Sequence, residues 1–360
     1  MTAMSPCAAS ISWKRFVADA APAALNGWII LNKPLGFGST NAVSAVKRAL
    51  RVGGYPKAKV GHGGTLDPLA TGVLPIAIGE ATKLAGRMLD ASKIYDFTIQ
   101  FGTETDTLDR EGAVVATSDT RPSLAQIEAV LAQFTGPISQ IPPVYSALKV
   151  DGQRAYDLAR AGEQVELKAR DVVIYDLAVQ SSPSFSDGEG DHPQDGGGAG
   201  FGAKTPPSSL RDATSPSFPD GEDLAPLSDI TLRAHVSKGT YIRSLARDIA
   251  VALGTVGHVT MLRRVKAGAF GLDQAISLDI LDEAAKGQSL GSLVLPLRTA
   301  LVDIPALALD PSQALALRQG RVLSGFAASD GLHLALLADV PVALVDVLKG
   351  TVTVERGFNL

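Results

Sequence analysis

The chain has 360 residues, 46% of them hydrophobic, which is enough for one large domain and a small one. One cysteine, Cys7, excludes an internal disulfide and a cysteine metal site, and the five histidines have no ligand spacing, so a reducing, cytoplasmic setting is expected. No run approaches 18 apolar residues without a charge, which argues against a membrane span, and Asp19 interrupts the short apolar run behind Lys14-Arg15 that hints at a signal peptide.

The formal net charge of −4 is unevenly spread. Residues 181–229 hold nine acids and two bases, a net of −7, which leaves +3 for the rest. Bases gather at Lys47-Arg48…Arg51…Lys57…Lys59, at Lys238…Arg243…Arg247 and at Arg263-Arg264…Lys266. Each cluster is either a phosphate-binding patch or a solvated helix face, and local patches decide phosphate binding more than the total does.

In chain order, residues 1–26 are Ala/Ser-rich and read as a loose extension. Gly27 to Pro34 reads as a short apolar strand ending in a turn. Ser39 or Thr40 then caps a helix with Val43, Val46 and Leu50 on one face. The most irregular stretch follows: Gly61-His62-Gly63-Gly64-Thr65-Leu66-Asp67-Pro68-Leu69-Ala70-Thr71-Gly72-Val73-Leu74-Pro75. Its glycines and prolines imply tight backbone, and it runs into the buried-looking strand Val73–Ile78. A single acid, Asp67, sits on that bend. It is either a turn starter before proline or a reactive group held with little freedom. The stretch is neither a Walker A loop nor a dinucleotide fingerprint.

Beyond it, Glu80 opens a helix running to about Leu89. Tyr95, Phe97, Ile99 and Phe101 alternate with polar residues as a strand with one apolar face. Tyr95 opens that face, either as a rim aromatic or as a ring stacked on a nucleobase. Thr103 to Gly112 is an acidic loop. Ser123 and Gln126 form a capping box for a helix through Phe134 with Leu124, Ile127, Val130 and Leu131 inward. Pro142 to Lys149 leads into a helix over Ala155–Ala161 that Gly162 stops, and Val172–Tyr175 is another strand. Residues 181–228 are rich in Ser, Pro, Gly and Asp and too poor in large apolar groups to offset ordering entropy, so they are expected to be a disordered insertion between two strands of one hairpin.

The return strand alternates Ile230, Leu232, Ala234 and Val236, and a helix follows with Leu245, Ala246, Ile249 and Leu253 inward and Gly254 as its stop. Arg243 at the start of that helix opposes the macrodipole. Such a cation invites an acidic partner, and Asp67 is the candidate. Val259–Arg264 reads as a strand. From about Ala300, short apolar runs separated by Pro305, Gly320, Gly325, Gly331 and Gly350 suggest a small β-rich unit.

The run Gly61–Pro68, continued by Ala70-Thr71-Gly72 and Leu74-Pro75, closely resembles the signature of the TruB family, the tRNA pseudouridine-55 synthases. Lys33-Pro34, Lys93-Ile94-Tyr95, Lys238-Gly239-Thr240-Tyr241-Ile242-Arg243 and Leu262-Arg263-Arg264 resemble its other motifs, in the family's order over roughly residues 27–298. Many relatives carry Thr where this chain has Gly63.

The resemblance implies an α+β protein: a pseudouridine synthase fold with a central mixed, mostly antiparallel sheet flanked by helices, plus a small β-rich, PUA-like C-terminal domain. The expected division is an extension over 1–26, a catalytic domain over 27–298 and a small domain over 299–360. The implied reaction isomerises a uridine in the T arm of tRNA: N1–C1′ breaks, the uracil turns, and C5 bonds to C1′. No step is redox, so neither cofactor nor metal is called for.

Asp67 is the catalytic acid implied. As a free Asp, with a pKa of about 3.9, it would be ionised at neutral pH. Attack on the sugar, attack on the base and removal of a sugar proton all remain open to it. The resemblance also implies that Tyr95 packs on the target base and that Leu262 lines its pocket. His62 is a candidate for filling the vacated stack or contacting the flipped nucleotide, or is a structural histidine. Tyr241 supports Tyr95 and the base edge. Lys33-Pro34, by the same resemblance, would pack under the loop or contact the substrate. The basic clusters would hold phosphates, and the acidic insertion would point away from RNA. The expected partner is the T-arm stem-loop of tRNA, bound by a monomer.

Two rivals remain. One is a guide-RNA-dependent synthase of the dyskerin type, disfavoured by the Ala155–Gly162 segment and the lack of a basic tail. The other is a non-catalytic tRNA-binding chaperone, which would have no use for a carboxylate facing RNA.

Overall fold

The computed structural model describes residues 22–146, 148–150, 152–161, 167–180 and 225–360. Residues 1–21, Gly162 and residues 181–224 lie outside the described residues. That removes most of the predicted extension, one predicted helix stop and nearly all of the predicted insertion.

A ten-stranded sheet organises the molecule. Its main path runs Leu295–Pro296, Gly27–Lys33, Ala70–Ile78, Gly257–Ala267, Lys93–Phe101, Asp229–Val236, Arg170–Val179, Gly136–Gln140. Neighbours on this path are antiparallel except Ala70–Ile78 and Gly257–Ala267, which run parallel. The strands are apolar for a local reason. Along Gly27–Lys33, Ile29 and Leu31 enter one core cluster while Trp28 and Ile30 enter another on the opposite face. Phe97, Ile99 and Phe101 do the same on one face of Lys93–Phe101, as the period-two pattern predicts.

Helices cover the sheet. Ser39–Val52 buries Ala42, Val46, Ala49 and Leu50 with Leu281 and Ala285 of the helix Leu278–Lys286. Ile242–Ala252 buries Leu245, Ala246 and Ile249 with Ile127 and Leu131 of the helix Leu124–Leu131, which starts in the predicted Ser123/Gln126 capping box. Arg170–Val179 and Asp229–Val236 pair antiparallel, from Val179↔Leu232 to Ile174↔Val236, so residues 181–228 join two adjacent strands as predicted.

Three local expectations change. Neither Ser39 nor Thr40 caps its helix; Gly38 is the N-cap and makes no side-chain bond there. Ser39 instead ties the helix to the Asp67 loop, because a short hydroxyl at that point can donate and accept across to Leu66. The predicted helix from Glu80 begins as a 3₁₀ segment, Gly79–Leu84, and turns α-helical only over Ala85–Asp90. The helix expected over Ala155–Ala161 is observed over Ala155–Arg160.

A second sheet follows, ordered Ala306–Leu309, Gly331–Leu337, Val340–Leu348, Thr351–Gly357, Leu323–Ser324. Its first pair is parallel and the others antiparallel. Leu334, Leu344 and Phe358 join Trp28, Met88 and Phe270 in one cluster, which fastens this sheet to the large one.

Candidate active site

The strand Gly257–Ala267 does most of the positioning. It places Leu262 between Ala70 and Phe97, and Arg264 between Gly72 and Tyr95. The segment after Asp67 and the strand carrying Tyr95, far apart in sequence, therefore meet across one central strand. The close approach needs Gly72. Its φ is +98°, and a Cβ there would overlap the Arg264 carbonyl.

The loop before that strand is held from beneath by two buried cations. Lys33 Nζ donates to the carbonyls of Pro34 (2.9 Å), Phe37 (2.6 Å) and Pro68 (3.1 Å). Arg264 Nη1 and Nη2 donate to Thr65 O and Gly64 O, both at 3.2 Å, and Nε to Val73 O at 2.8 Å. Ser39 Oγ donates to Leu66 O and accepts from Leu66 N–H, both at 2.9 Å. Burial, opposed by the charge of Asp67 and reinforced by that of Arg264, brings the Lys33 pKa down to about 8. Gly63 sits where a Cβ would lie 2.8 Å from Met88 Cβ, so a larger residue at this position would require a shift of Met88.

Asp67 rises from this cradle toward solvent. Its Oδ2 lies 3.0 Å from Arg243 Nη2, and its side chain is 44% exposed against 8% for Arg243. The macrodipole argument thus finds its partner. Arg243 also has a second acid: Nη1 donates to Asp109 Oδ2 at 3.1 Å and Thr107 O at 2.8 Å, while Nη2 donates to Tyr145 O at 3.0 Å. Sequence reading missed Asp109. It lies in the acidic Thr103–Gly112 loop, but nothing local distinguishes it from Asp106. Its own Oδ1 is fixed by Thr107 Oγ1 and by Glu111 N–H.

A cleft of ≈330 Å³ opens over Asp67, inside the range of roughly 300–1,000 Å³ usual for small-molecule sites. Tyr95, Tyr241, Arg243 and Leu262 line it, and Asp67 is the only acid among its described lining residues. Tyr241 is anchored through its backbone: its N–H donates to Gln140 Oε1 at 2.8 Å and its carbonyl accepts from Gln140 Nε2 at 3.1 Å. Its ring lies 5.3 Å from the Arg170 guanidinium carbon. Lys93 also lines the cleft, with Nζ bonded to the carbonyls of Met88, Leu89 and Ala91; burial depresses its pKa to about 8.

Of the six sequence-derived site residues, Asp67, Tyr95, Tyr241, Arg243 and Leu262 come together. His62 does not line the cleft. It lies on the edge strand Val60–His62, opposite Ile76, with Nδ1 buried and without a hydrogen-bond partner. Burial and the Arg264 charge hold its imidazole below the usual histidine pKa. Two basic clusters read as phosphate patches are largely committed to internal contacts: Arg243 and Arg264 as above, Lys238 to Asp90 at 2.9 Å and Arg247 to Asp248 at 2.8 Å.

Solved structures share this architecture. One titled "Structure of H/ACA RNP bound to a substrate RNA containing 2'-deoxyuridine" matches with a TM-score of 0.62 and 23% identity, over 93% of this chain and 85% of that one. One titled "Crystal Structure of a Cbf5-Nop10-Gar1 Complex" matches at 0.60 and 24%, over 92% and 84%. At such identities the likeness speaks for the fold alone. The sequence profile described as TruB family pseudouridylate synthase (N terminal domain) matches residues 48–186, and that of the tRNA pseudouridylate synthase B C-terminal domain matches residues 243–302. The fold is that of a pseudouridine synthase. A protein named tRNA pseudouridine synthase B from Novosphingobium aromaticivorans is 58% identical over 93% of this chain and 98% of its own length. One of the same name from Zymomonas mobilis is 51% identical over 93% and 97%. The chain therefore belongs to the TruB family.

Proposed function

We propose that this protein is an isomerase that converts uridine to pseudouridine at position 55 in the T arm of tRNA, with Asp67 as the catalytic carboxylate. Its relatives' names support tRNA as the substrate. The observation that carries the assignment of Asp67 is its position as the sole acid among the described lining residues of a cleft that Tyr95, Tyr241 and Leu262 also line, with its carboxylate 3.0 Å from a buried arginine.

The target uridine leaves its stack at a cost of a few kcal/mol. Stacking on Tyr95 returns about 1–3 kcal/mol of that. Tyr241 closes the cleft beside the base, and Leu262 supplies an apolar wall. Arg243 holds the Asp67 carboxylate in one place, so the reacting group needs no reorganisation when the base arrives. Breaking N1–C1′, turning the uracil and forming C5–C1′ rearranges one molecule; the proton lost from C5 is matched by one gained at N1. His62, on the strand Val60–His62 that feeds the loop, is our candidate for contacting the displaced nucleotide. The small C-terminal sheet is our candidate for an accessory RNA-binding unit, and the protein acts as a monomer.

The test is pseudouridine mapping on a T-arm stem-loop incubated with the purified protein and no additives. Product at the uridine equivalent to position 55 is expected without any guide RNA. Asp67→Asn is expected to keep tRNA affinity within a few-fold and to give no product. Wild-type product formation by that variant would remove Asp67 from the chemistry.

A further inference from the structure

In two of the three basic clusters most cations are paired within the molecule, whereas in the third only Arg48 is, with Asp282 at 3.4 Å. Lys47 and Arg51 lie on the outward face of the C-terminal half of the helix Ser39–Val52, and Lys57 and Lys59 lie on the segment that follows; all four are exposed. None of them has a carboxylate within ion-pair distance among the described residues. Together they line a groove of ≈940 Å³ whose other described lining residues are uncharged. The groove is built rather than accidental. The half-buried Tyr55 in its wall is pinned by its hydroxyl, which accepts from Gly291 N–H at 3.1 Å, and Lys59 O accepts from Gly79 N–H at 2.8 Å.

Its place relative to the cleft is set by the backbone. The helix begins at the Ser39–Leu66 clasp on the Asp67 loop. Lys47 and Arg51 stand eight and twelve residues further on, about 12–18 Å along the axis at ~1.5 Å per residue. From the other side, Lys59 runs through the edge strand Val60–His62 straight into Gly63. Four unpaired cations in an open groove, one helix length from a site that takes a nucleotide, match a polyanion that extends past that nucleotide.

We infer that this groove binds the phosphate backbone of the RNA substrate, several nucleotides away from the uridine being isomerised. The inference rests on the RNA reading above. Backbone contacts fix the register of a nucleic acid on its protein without reading bases, so the groove orients the arm whose base enters the cleft.

The experiment measures the dissociation constant of a whole tRNA transcript across salt concentrations. It compares the wild type, a quadruple Lys47→Gln, Arg51→Gln, Lys57→Gln, Lys59→Gln variant, and a charge-preserving Lys47→Arg, Arg51→Lys, Lys57→Arg, Lys59→Arg variant. The glutamine variant is expected to lose about 2–4 from the slope of log K against log salt, and at least ~10-fold in affinity near 0.1 M salt. The charge-preserving variant is expected to track the wild type. A glutamine variant with the wild-type slope would overturn the inference and leave the groove to another partner, such as an acidic protein segment. Equal losses in both variants would also overturn it, because shape rather than charge would then be at work. Pseudouridine formation by the wild type is scored separately: absent product sinks the activity, and an unchanged slope sinks the groove.

Discussion

Arg243 has four N–H groups on its two terminal nitrogens and meets four acceptors: Asp67, Asp109, Thr107 O and Tyr145 O. A planar fork can do this and a point charge cannot. Arg243→Lys is therefore expected to keep the charge and lose the geometry, with kcat falling on the order of 10²-fold, since small misplacements of a reacting group cost that much. Single-turnover kinetics would measure it. Asp109→Ala leaves the buried guanidinium with one carboxylate and is expected to cost about 1.5–3 kcal/mol, the range for hydrogen bonds to charged groups, read by urea unfolding. His62 gives the pH prediction at this scale. Burial, then Arg264, lowers its folded-state pKa below the usual value of about 6.5. As pH falls from there toward the folded pKa, the unfolded chain holds a proton that the folded one refuses, so His62 makes stability decline on acidification through that window. An imidazole titration followed by NMR should have its midpoint below 6.5; a midpoint at or above that value would remove the effect.

At the scale of elements, the Asp67 bend is irregular backbone kept in place by side chains from three other segments. Lys33, Ser39 and Arg264 satisfy the carbonyls of Pro68, Leu66, Thr65 and Gly64, which have no strand partners. Carbonyls withdrawn from water, as at the buried Gly64 and Leu66, demand partners, and the Arg264 guanidinium and the Ser39 hydroxyl supply them. Lys33 and Lys93 share one pH consequence. Each has its pKa brought down to about 8, with burial the largest cause. Between pH 8 and 10.5 the unfolded chain therefore carries lysine protons that the folded chain has shed, and both residues make stability rise with pH across that window. Unfolding at pH ~9 should take up protons, and the Lys33→Met variant should take up fewer. The parallel pairing beside the bend gives a second test. Gly72→Ala places a methyl against the Arg264 carbonyl at positive φ and is expected to cost at least about 2 kcal/mol.

At the scale of the whole molecule, the two sheets share a core. Phe358, 1% exposed near the end of the chain, packs in the cluster that contains Trp28 and Phe270 of the large sheet. Polar contacts reinforce the seam: Lys83 Nζ donates to Gly357 O at 2.9 Å, and Asn359 N–H to Glu80 Oε2 at 2.7 Å. Phe358→Ala is expected to destabilise the protein by roughly 3–5 kcal/mol, as for other buried phenylalanines. Because the cluster spans both sheets, chemical denaturation should still show one transition in the wild type.

Much of this was legible beforehand, because local chemistry carried it. The alternation in Tyr95–Phe101 and Ile230–Val236, the Ser123/Gln126 box and the glycine-bounded Asp67 bend are written in neighbouring residues. Even the Asp67–Arg243 pair could be reached, since a cation at a helix start calls for an acid. Other features were out of reach of any local pattern. Periodicity says which face is apolar, but an arginine or serine looks the same in sequence whether water or a buried carbonyl takes its hydrogen bonds. Only strand register decided that Arg264 would lie under the loop and that Ser39 would clasp Leu66 instead of capping its helix. Only the docking of distant segments put Asp109 on Arg243, and left Lys47, Arg51, Lys57 and Lys59 without an acidic partner among the described residues.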